Sequence, residues 1–156
     1  MIKTGYKEKI GLIADTPEYC PGCGCAGRPV TRKTVLLMLK PAFFDRAGEK
    51  SYRFCPNSEC PKVYFVSGED LVFSTDDLRV RVGLKEREDP IPVCYCFGFD
   101  DADVQAGINR EGYSSIPQRI TALIRQGLCA CPERNPSGAC CLAEITRLVR
   151  KHRASM

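Results

Sequence analysis

YRFCPNSECPKVYFV, residues 52–66, sets two β-prone runs on either side of a pair of cysteines. Tyr52–Phe54 leads into Cys55, and Lys62–Val66 leaves Cys60. A strand, a knuckle and a second strand turn the chain back on itself and present two sulfurs at the bend. Upstream, Cys20-Pro-Gly-Cys23 is a C-x-x-C knuckle, and Gly22 and Gly24 permit the tight turn that aims backbone N–H groups at sulfur. Four sulfurs from two knuckles suit tetrahedral zinc, so Cys20, Cys23, Cys55 and Cys60 are the expected zinc ligands. With every position filled by protein, such a zinc is structural and leaves no open position for catalysis. A single C-x-x-C reads equally well as a redox pair, and isolated cysteines as small apolar core residues; two paired knuckles favour the metal. Cys25 is left over, either as a fifth thiol near the site or as a surface residue.

The wider composition supports metal over disulfides. The chain of 156 residues carries 11 cysteines, one histidine and no tryptophan. Any metal site is therefore built mostly from thiolates, which select zinc, iron–sulfur clusters or Cu(I). MIKTGYKEKIGLIADTP (1–17) has no continuous apolar core of the secretory kind, and Val35–Leu39 is far too short to span a bilayer. The expectation is a cytoplasmic protein, where reducing conditions make dense cysteines metal ligands. The formal charge of +4 counts every thiol as neutral. A tetrathiolate zinc carries about −2, as does an oxidised [2Fe–2S] centre with four thiolates, so the basic excess says little about nucleic acid.

Period and composition change along the chain. Thr34–Leu39, Ser51–Phe54, Lys62–Val66, Leu71–Phe73 and Leu78–Val82 read as β-prone runs, punctuated by Pro41, Gly48, Pro61 and Gly68. GLKEREDPIP (83–92) is charged and proline-interrupted, which makes it the expected boundary and hinge. Beyond it the pattern turns helical. Asp100 or Asp101 caps a helix running to about Arg110 with Gly112 beyond it. Ser115-Ile-Pro-Gln118 has capping-box spacing, Ile116, Ile120, Leu123 and Ile124 share a face, and Gly127 supplies a stop. A last helix follows the turn Asn135–Gly138 and runs to about His152. The expected class is α+β: a ribbon- or treble-clef-like β-rich zinc subdomain over 1–83 and a helical metal-binding subdomain over 84–156.

The second half holds Cys94-Tyr95-Cys96, a C-x-C pair that needs two further sulfurs from Cys129, Cys131, Cys140 and Cys141. Helix phase narrows the choice. With Ile145 at the centre of the apolar face, Cys141 lies about 40° away and Cys140 about 140° away, at 100° per residue. Cys141 therefore points inward and Cys140 toward the charged face of Arg150 and Lys151. With Ser137 as N-cap, Cys141 falls in the first turn, where the helix dipole lowers a thiol pKa. Geometry leaves Cys129 and Cys131 undecided.

VGLKEREDPIPVCYC (82–96) together with NPSGACC (135–141) closely resembles the N-terminal metal-binding domain of archaeal-type CopZ copper chaperones, and YRFCPNSEC followed by KVYF fits the same pattern. The resemblance runs from about Cys20 to His152, and the helical half is also similar to bacterioferritin-associated ferredoxin domains. It implies one zinc and one [2Fe–2S] cluster. Its cluster ligands are the C-x-C pair, a cysteine four residues before the Asn of NPSG, and the second cysteine of the CC pair. Here these are Cys94, Cys96, Cys131 and Cys141. Zinc falls on Cys20, Cys23, Cys55 and Cys60, and Cys25, Cys129 and Cys140 are spare. Chaperones of this type also carry a C-terminal domain with a C-x-x-C copper site, which is not found up to Met156. The implied partners are therefore a separate copper carrier or a copper-transporting ATPase, and an unnamed electron donor.

The leading expectation is single-electron transfer in copper or heavy-metal handling, including reduction of Cu(II) to Cu(I). A non-redox module that carries soft cations on the spare thiols is the alternative. A zinc-ribbon nucleic-acid binder would rest on Arg147, Arg150, Lys151 and Arg153, which read more simply as one solvated helix face. No catalytic triad or phosphate-binding loop is present, so an electron-transfer or metal-handling protein is expected rather than an enzyme.

Overall fold

The computed structural model describes residues 18–155. The leader reading of residues 1–17 and the first part of the 1–83 subdomain lie outside them.

The first half is built on an antiparallel sheet in the order β1 (Arg28–Val30), β2 (Tyr52–Phe54), β3 (Lys62–Phe65), β4 (Val72–Ser74). Its centre is the expected strand–knuckle–strand. Phe54 pairs with Tyr64, Arg53 pairs with Phe65, and the Cys55 N–H donates to the Val63 carbonyl at 2.8 Å as the knuckle begins. Successive side chains of a strand face opposite ways. Tyr52, Phe54 and Tyr64 join one apolar core, while Phe65 packs with Cys20, Cys55 and Cys60. Both faces of β2 and β3 are thus buried.

Three readings of this half are corrected. Thr34–Leu39 is not a strand: helix α1 spans Arg32–Met38. The Thr31 side chain caps it by accepting from the Thr34 N–H at 3.2 Å. Val35, Met38 and Leu39, at helical spacing, then reach the core together. The aliphatic run is ambiguous by composition, and the cap decides it. Leu78–Val82 is likewise not a strand. Leu78 makes one bridge to Leu39, and the chain passes into a short 3-10 turn over Gly83–Lys85. The third correction is β1, which the sequence reading passed over; Arg28 pairs with Phe54 and Val30 with Tyr52.

The second half opens on a hairpin rather than a helix: β5 (Pro92–Cys94) pairs with β6 (Phe99–Asp100). Asp100 then caps α2 (Asp101–Glu111) in a reciprocal box with Asp103, and Gly112 closes it in the left-handed region at φ 82°. Helix α3 (Ile116–Arg125) has no side-chain cap from Ser115. Buried Ser114 takes that place, its hydroxyl accepting from the Ile116 N–H at 3.3 Å. A single turn, α4 (Cys131–Arg134), precedes α5 (Leu142–Ala154). Val93, Val104, Ile108, Ile116, Ile120, Ile145 and Leu148 form a second core that includes Cys94, Cys131 and Cys141. His152, at the end of α5, meets Asp101 at the start of α2 at 2.6 Å. Among the described residues no helix is long and apolar enough to cross a membrane.

Candidate metal centres

The two knuckles meet at the edge of the sheet. The sulfurs of Cys20, Cys23, Cys55 and Cys60 all lie within 4.8 Å of one another. Cys20 approaches Cys60 at 3.9 Å and Cys23 approaches Cys55 at 3.5 Å. Cys20, Cys55 and Cys60 are buried, and Cys23 is exposed. Each sulfur accepts a hydrogen bond from the backbone N–H two residues on. Gly22 N–H reaches Cys20 at 3.4 Å, and Cys25, Asn57 and Lys62 serve Cys23, Cys55 and Cys60. This repeated i+2 bond stabilises thiolates. It fits a tetrathiolate ion and has no use in an apolar cysteine core.

The same surroundings split the thiols. A hydrogen bond from the Asn57 side chain, helped by the Cys25 N–H, lowers Cys23 to about 6. Burial pushes Cys55 up to about 12 and also raises Cys60. Cys25 lies beside Cys23, and the hydrogen bond between the two sulfurs raises Cys25. It is a fifth thiol on the exposed side of the group.

The second set of thiols is arranged differently. Cys96 and Cys131 approach at 3.6 Å, and Cys94 and Cys141 are hydrogen-bonded to each other. Among the described residues no three of these sulfurs share the compact spacing of the first site. Two pairs rather than one tetrahedron would suit a dinuclear centre with two thiolates per metal. Backbone donors again surround the sulfurs. The Ala130 N–H reaches Cys96 at 3.1 Å, the N–H groups of Phe97, Cys96 and Phe99 serve Cys94, and the Cys141 N–H serves Cys131. The Cys141 thiol holds Cys94 down at about 6, and burial pushes Cys131 up to about 11.

Helix phase orders the CC pair correctly in burial: Cys141 is 2% exposed, and Cys140 is exposed. Two details differ from expectation. Ser137 does not cap the helix. Its N–H and hydroxyl both bond the Asn135 side chain in a local turn, so α5 starts only at Leu142 with Cys141 at the N-cap. Nor is the Cys141 thiol acidic. Its bond to Cys94 and its burial both raise it, and these outweigh the helix terminus. Between the open alternatives, Cys131 is buried against Cys96, while Cys129 is half-exposed.

Three supporting residues carried no signal in the sequence. Asn57 serves Cys23 through its side chain. The Tyr95 hydroxyl donates to the Arg81 carbonyl at 3.0 Å and accepts from the Gly83 N–H at 2.8 Å. The Lys85 ammonium donates to the carbonyls of Asn57 and Cys60 at 2.8 and 2.9 Å. None was marked by its residue type, although Asn57 lies inside the second knuckle, Lys85 in the 83–92 segment and Tyr95 between the C-x-C cysteines.

A family model described as a zinc binding domain, of the CopZ type, matches residues 17–79. The copper chaperone CopZ of Archaeoglobus fulgidus is 34% identical over 129 residues, which cover 83% of this chain and 60% of that protein. The X-ray structure of the N-terminal domain of Archaeoglobus fulgidus CopZ matches with a TM-score of 0.69 and 32% identity, covering 83% of this chain and 96% of that one. The α+β architecture is common to both.

Proposed function

The chain belongs to the family of the CopZ N-terminal domain, and on that premise we propose that it is a zinc- and [2Fe–2S]-binding protein that passes single electrons in copper or heavy-metal handling. Cys20, Cys23, Cys55 and Cys60 hold the zinc; Cys94, Cys96, Cys131 and Cys141 hold the cluster. The observation that carries the reading is the contrast between the two thiol sets. One is a compact tetrad and the other two separate pairs. The division at residues 83–84 is part of the reading, supported by a separate apolar core on each side.

When bound, a [2Fe–2S] cluster takes up and gives back one electron, the stoichiometry needed between Cu(II) and Cu(I). The chain's own part is to hold the thiolates and set the potential. Backbone N–H groups on Cys94, Cys96 and Cys131 favour the more negative reduced state and raise the potential. The burial of Cys94 and Cys141 removes water from one thiolate pair. The zinc tetrad closes the first half on itself and has no open position for substrate.

The chain spans 60% of the length of the CopZ protein it matches, and copper handling is the part of the proposal drawn from that relative. The partners are a copper carrier or copper-transporting ATPase and an electron donor, and the reading takes the chain itself to be cytoplasmic. Iron, acid-labile sulfide and zinc analysis, with visible absorption and EPR of the reduced protein, tests the reading. Two irons, two sulfides and one zinc per chain are expected. Protein that binds zinc but never iron and sulfide overturns the electron-transfer role.

A second reading is a soft-cation module without redox turnover. It draws on Cys25 beside Cys23 and on exposed Cys140, which lines a cleft with Cys141. Replacing Cys25, Cys129 and Cys140 together by Ser separates the two, since only this reading expects soft-metal binding to vanish while the cluster spectrum stays.

A further inference from the structure

The two thiol sets meet at one short turn. Lys85, at the end of the 3-10 turn Gly83–Lys85, reaches into the Cys55–Cys60 knuckle. Its ammonium donates to two carbonyls of that loop, those of Asn57 and Cys60, and stands 5.8 Å from the centre of the Phe54 ring. At the other end of the turn, the Gly83 N–H donates to the Tyr95 hydroxyl at 2.8 Å. Tyr95 is the residue between Cys94 and Cys96. Only Leu84 separates the residue that grips the first knuckle from the one that grips the C-x-C loop.

The turn is held rigidly. A Cβ on Gly83 would sit 1.7 Å from the Pro92 carbonyl oxygen, so the turn is packed directly against the strand that ends in Cys94. Arg81 closes the loop between them, donating from Nε to the Pro90 carbonyl at 2.9 Å and from its terminal nitrogen to the Glu88 carbonyl at 2.9 Å and the Glu86 carboxylate at 2.8 Å. The same Arg81 offers its own carbonyl to Tyr95. A displacement of Lys85 has little slack to absorb it before it reaches Tyr95.

We propose that Lys85 and Tyr95 are positioning residues that couple the two metal centres: an ordered zinc knuckle seats Lys85, the turn seats Tyr95, and Tyr95 sets the C-x-C loop that holds the cluster. The inference rests on the zinc and cluster assignments above. Zinc in the first site therefore slows loss of the cluster from the second. Because coupling of equilibrium binding is reciprocal, the factor by which zinc tightens cluster binding is also the factor by which the cluster tightens zinc. Residues behind metal ligands have this kind of influence without touching the metal.

The test follows the bleaching of the visible absorption by an iron chelator, with zinc bound and after zinc is withdrawn by a competing chelator. It is run on wild type, Lys85→Met, Lys85→Arg and Tyr95→Phe, with the EPR spectrum of the reduced cluster recorded for each. In wild type, zinc withdrawal is expected to speed bleaching roughly tenfold, the scale of a charged hydrogen bond, and to shift the EPR signal. Lys85→Met and Tyr95→Phe with zinc bound are expected to bleach as fast as zinc-free wild type, with little further change when zinc is withdrawn. Lys85→Arg is expected to keep the zinc dependence. A purely structural role would speed bleaching in the variants and leave the zinc dependence intact, which is the comparison a double-mutant cycle isolates. Equal rates with and without zinc in wild type, or undiminished zinc dependence in both Lys85→Met and Tyr95→Phe, overturn the coupling. Absence of any iron chromophore overturns the cluster assignment instead, so the two failures are distinct.

Discussion

The Tyr64 hydroxyl donates to the Pro136 carbonyl at 2.6 Å, joining the central strand of the zinc-side sheet to the NPSG turn ahead of Cys141. Tyr64 is fully buried, and its partner comes from the other half of the chain. Thr34 repeats the connection one turn away, its hydroxyl donating to the Pro132 carbonyl at 2.6 Å. The halves are therefore fastened by buried hydrogen bonds onto the loop between Cys131 and Cys141.

Replacing Tyr64 by Phe keeps the ring packing and leaves the Pro136 carbonyl without its buried donor. The expected cost is about 1–3 kcal/mol. Thermal melts at fixed metal loading are expected to show it, at about 2–4 °C per kcal/mol for a chain of this size. A melting point unchanged from wild type would mean the bond contributes nothing net.

Serine scanning separates the neighbouring cysteines in the half proposed to hold the cluster. Cys141→Ser and Cys131→Ser are expected to lose most of the visible absorption, because each removes a buried partner of the C-x-C pair. Cys140→Ser and Cys129→Ser are expected to keep it, since Cys140 is exposed and Cys129 half-exposed. A bleached Cys129→Ser beside an intact Cys131→Ser would reverse the ligand assignment.

Zinc affinity depends on pH through the thiols. Between pH 7 and 8 Cys23, lowered to about 6, is already a thiolate, whereas Cys55, raised to about 12, and Cys60, also raised, must each release a proton. Protons compete with the metal, so affinity rises with pH and weakens on acidification. With at least these two protons displaced, the dependence is about a hundredfold per pH unit or steeper. Competition with a chromophoric chelator across this range measures the slope; a flat profile would contradict the protonation pattern.

Gly83→Ala forces a methyl group onto the Pro92 carbonyl, 1.7 Å from the ideal Cβ position. The Pro92 carbonyl is backbone and the methyl is fixed to Cα, so no flexible side chain can yield. The expected loss is about 3 kcal/mol or more, at the upper end for overpacking. Chemical denaturation is expected to show a lowered midpoint; a wild-type midpoint would mean the turn is free to move.

Local signals in the sequence carried the architecture where a single feature decides the outcome. Asp100 caps α2 and Gly112 ends it because an N-cap carboxylate and a left-handed glycine act within one turn of backbone. The strands around Cys55 and Cys60 were legible from β-prone runs broken by a proline-containing knuckle. Thr34–Leu39 misled because an aliphatic run has no period of its own; Thr31 and the core position of Met38 made it a helix. Ser115 and Ser137 had capping spacing, but Ser114 takes the Ile116 N–H in the first case, and in the second the helix starts only at Leu142 while Ser137 bonds Asn135 and Ala139 in a local turn. Spacing along the chain does not say which of two neighbouring polar side chains turns inward.

By itself the sequence determined that two thiol groups exist, that the first is a pair of knuckles, and that Cys141 rather than Cys140 faces the core, because knuckle turns and helix phase are local properties. Only the tertiary structure decided how the sulfurs meet: a compact tetrad in one half, and Cys94 with Cys141 and Cys96 with Cys131 in the other. It alone placed Lys85 on the first knuckle and Gly83 on Tyr95. These contacts join residues far apart in the chain, and their partners are backbone carbonyls and N–H groups that every residue carries. No residue type marks them in advance, so they emerge only when the packed core brings the segments together.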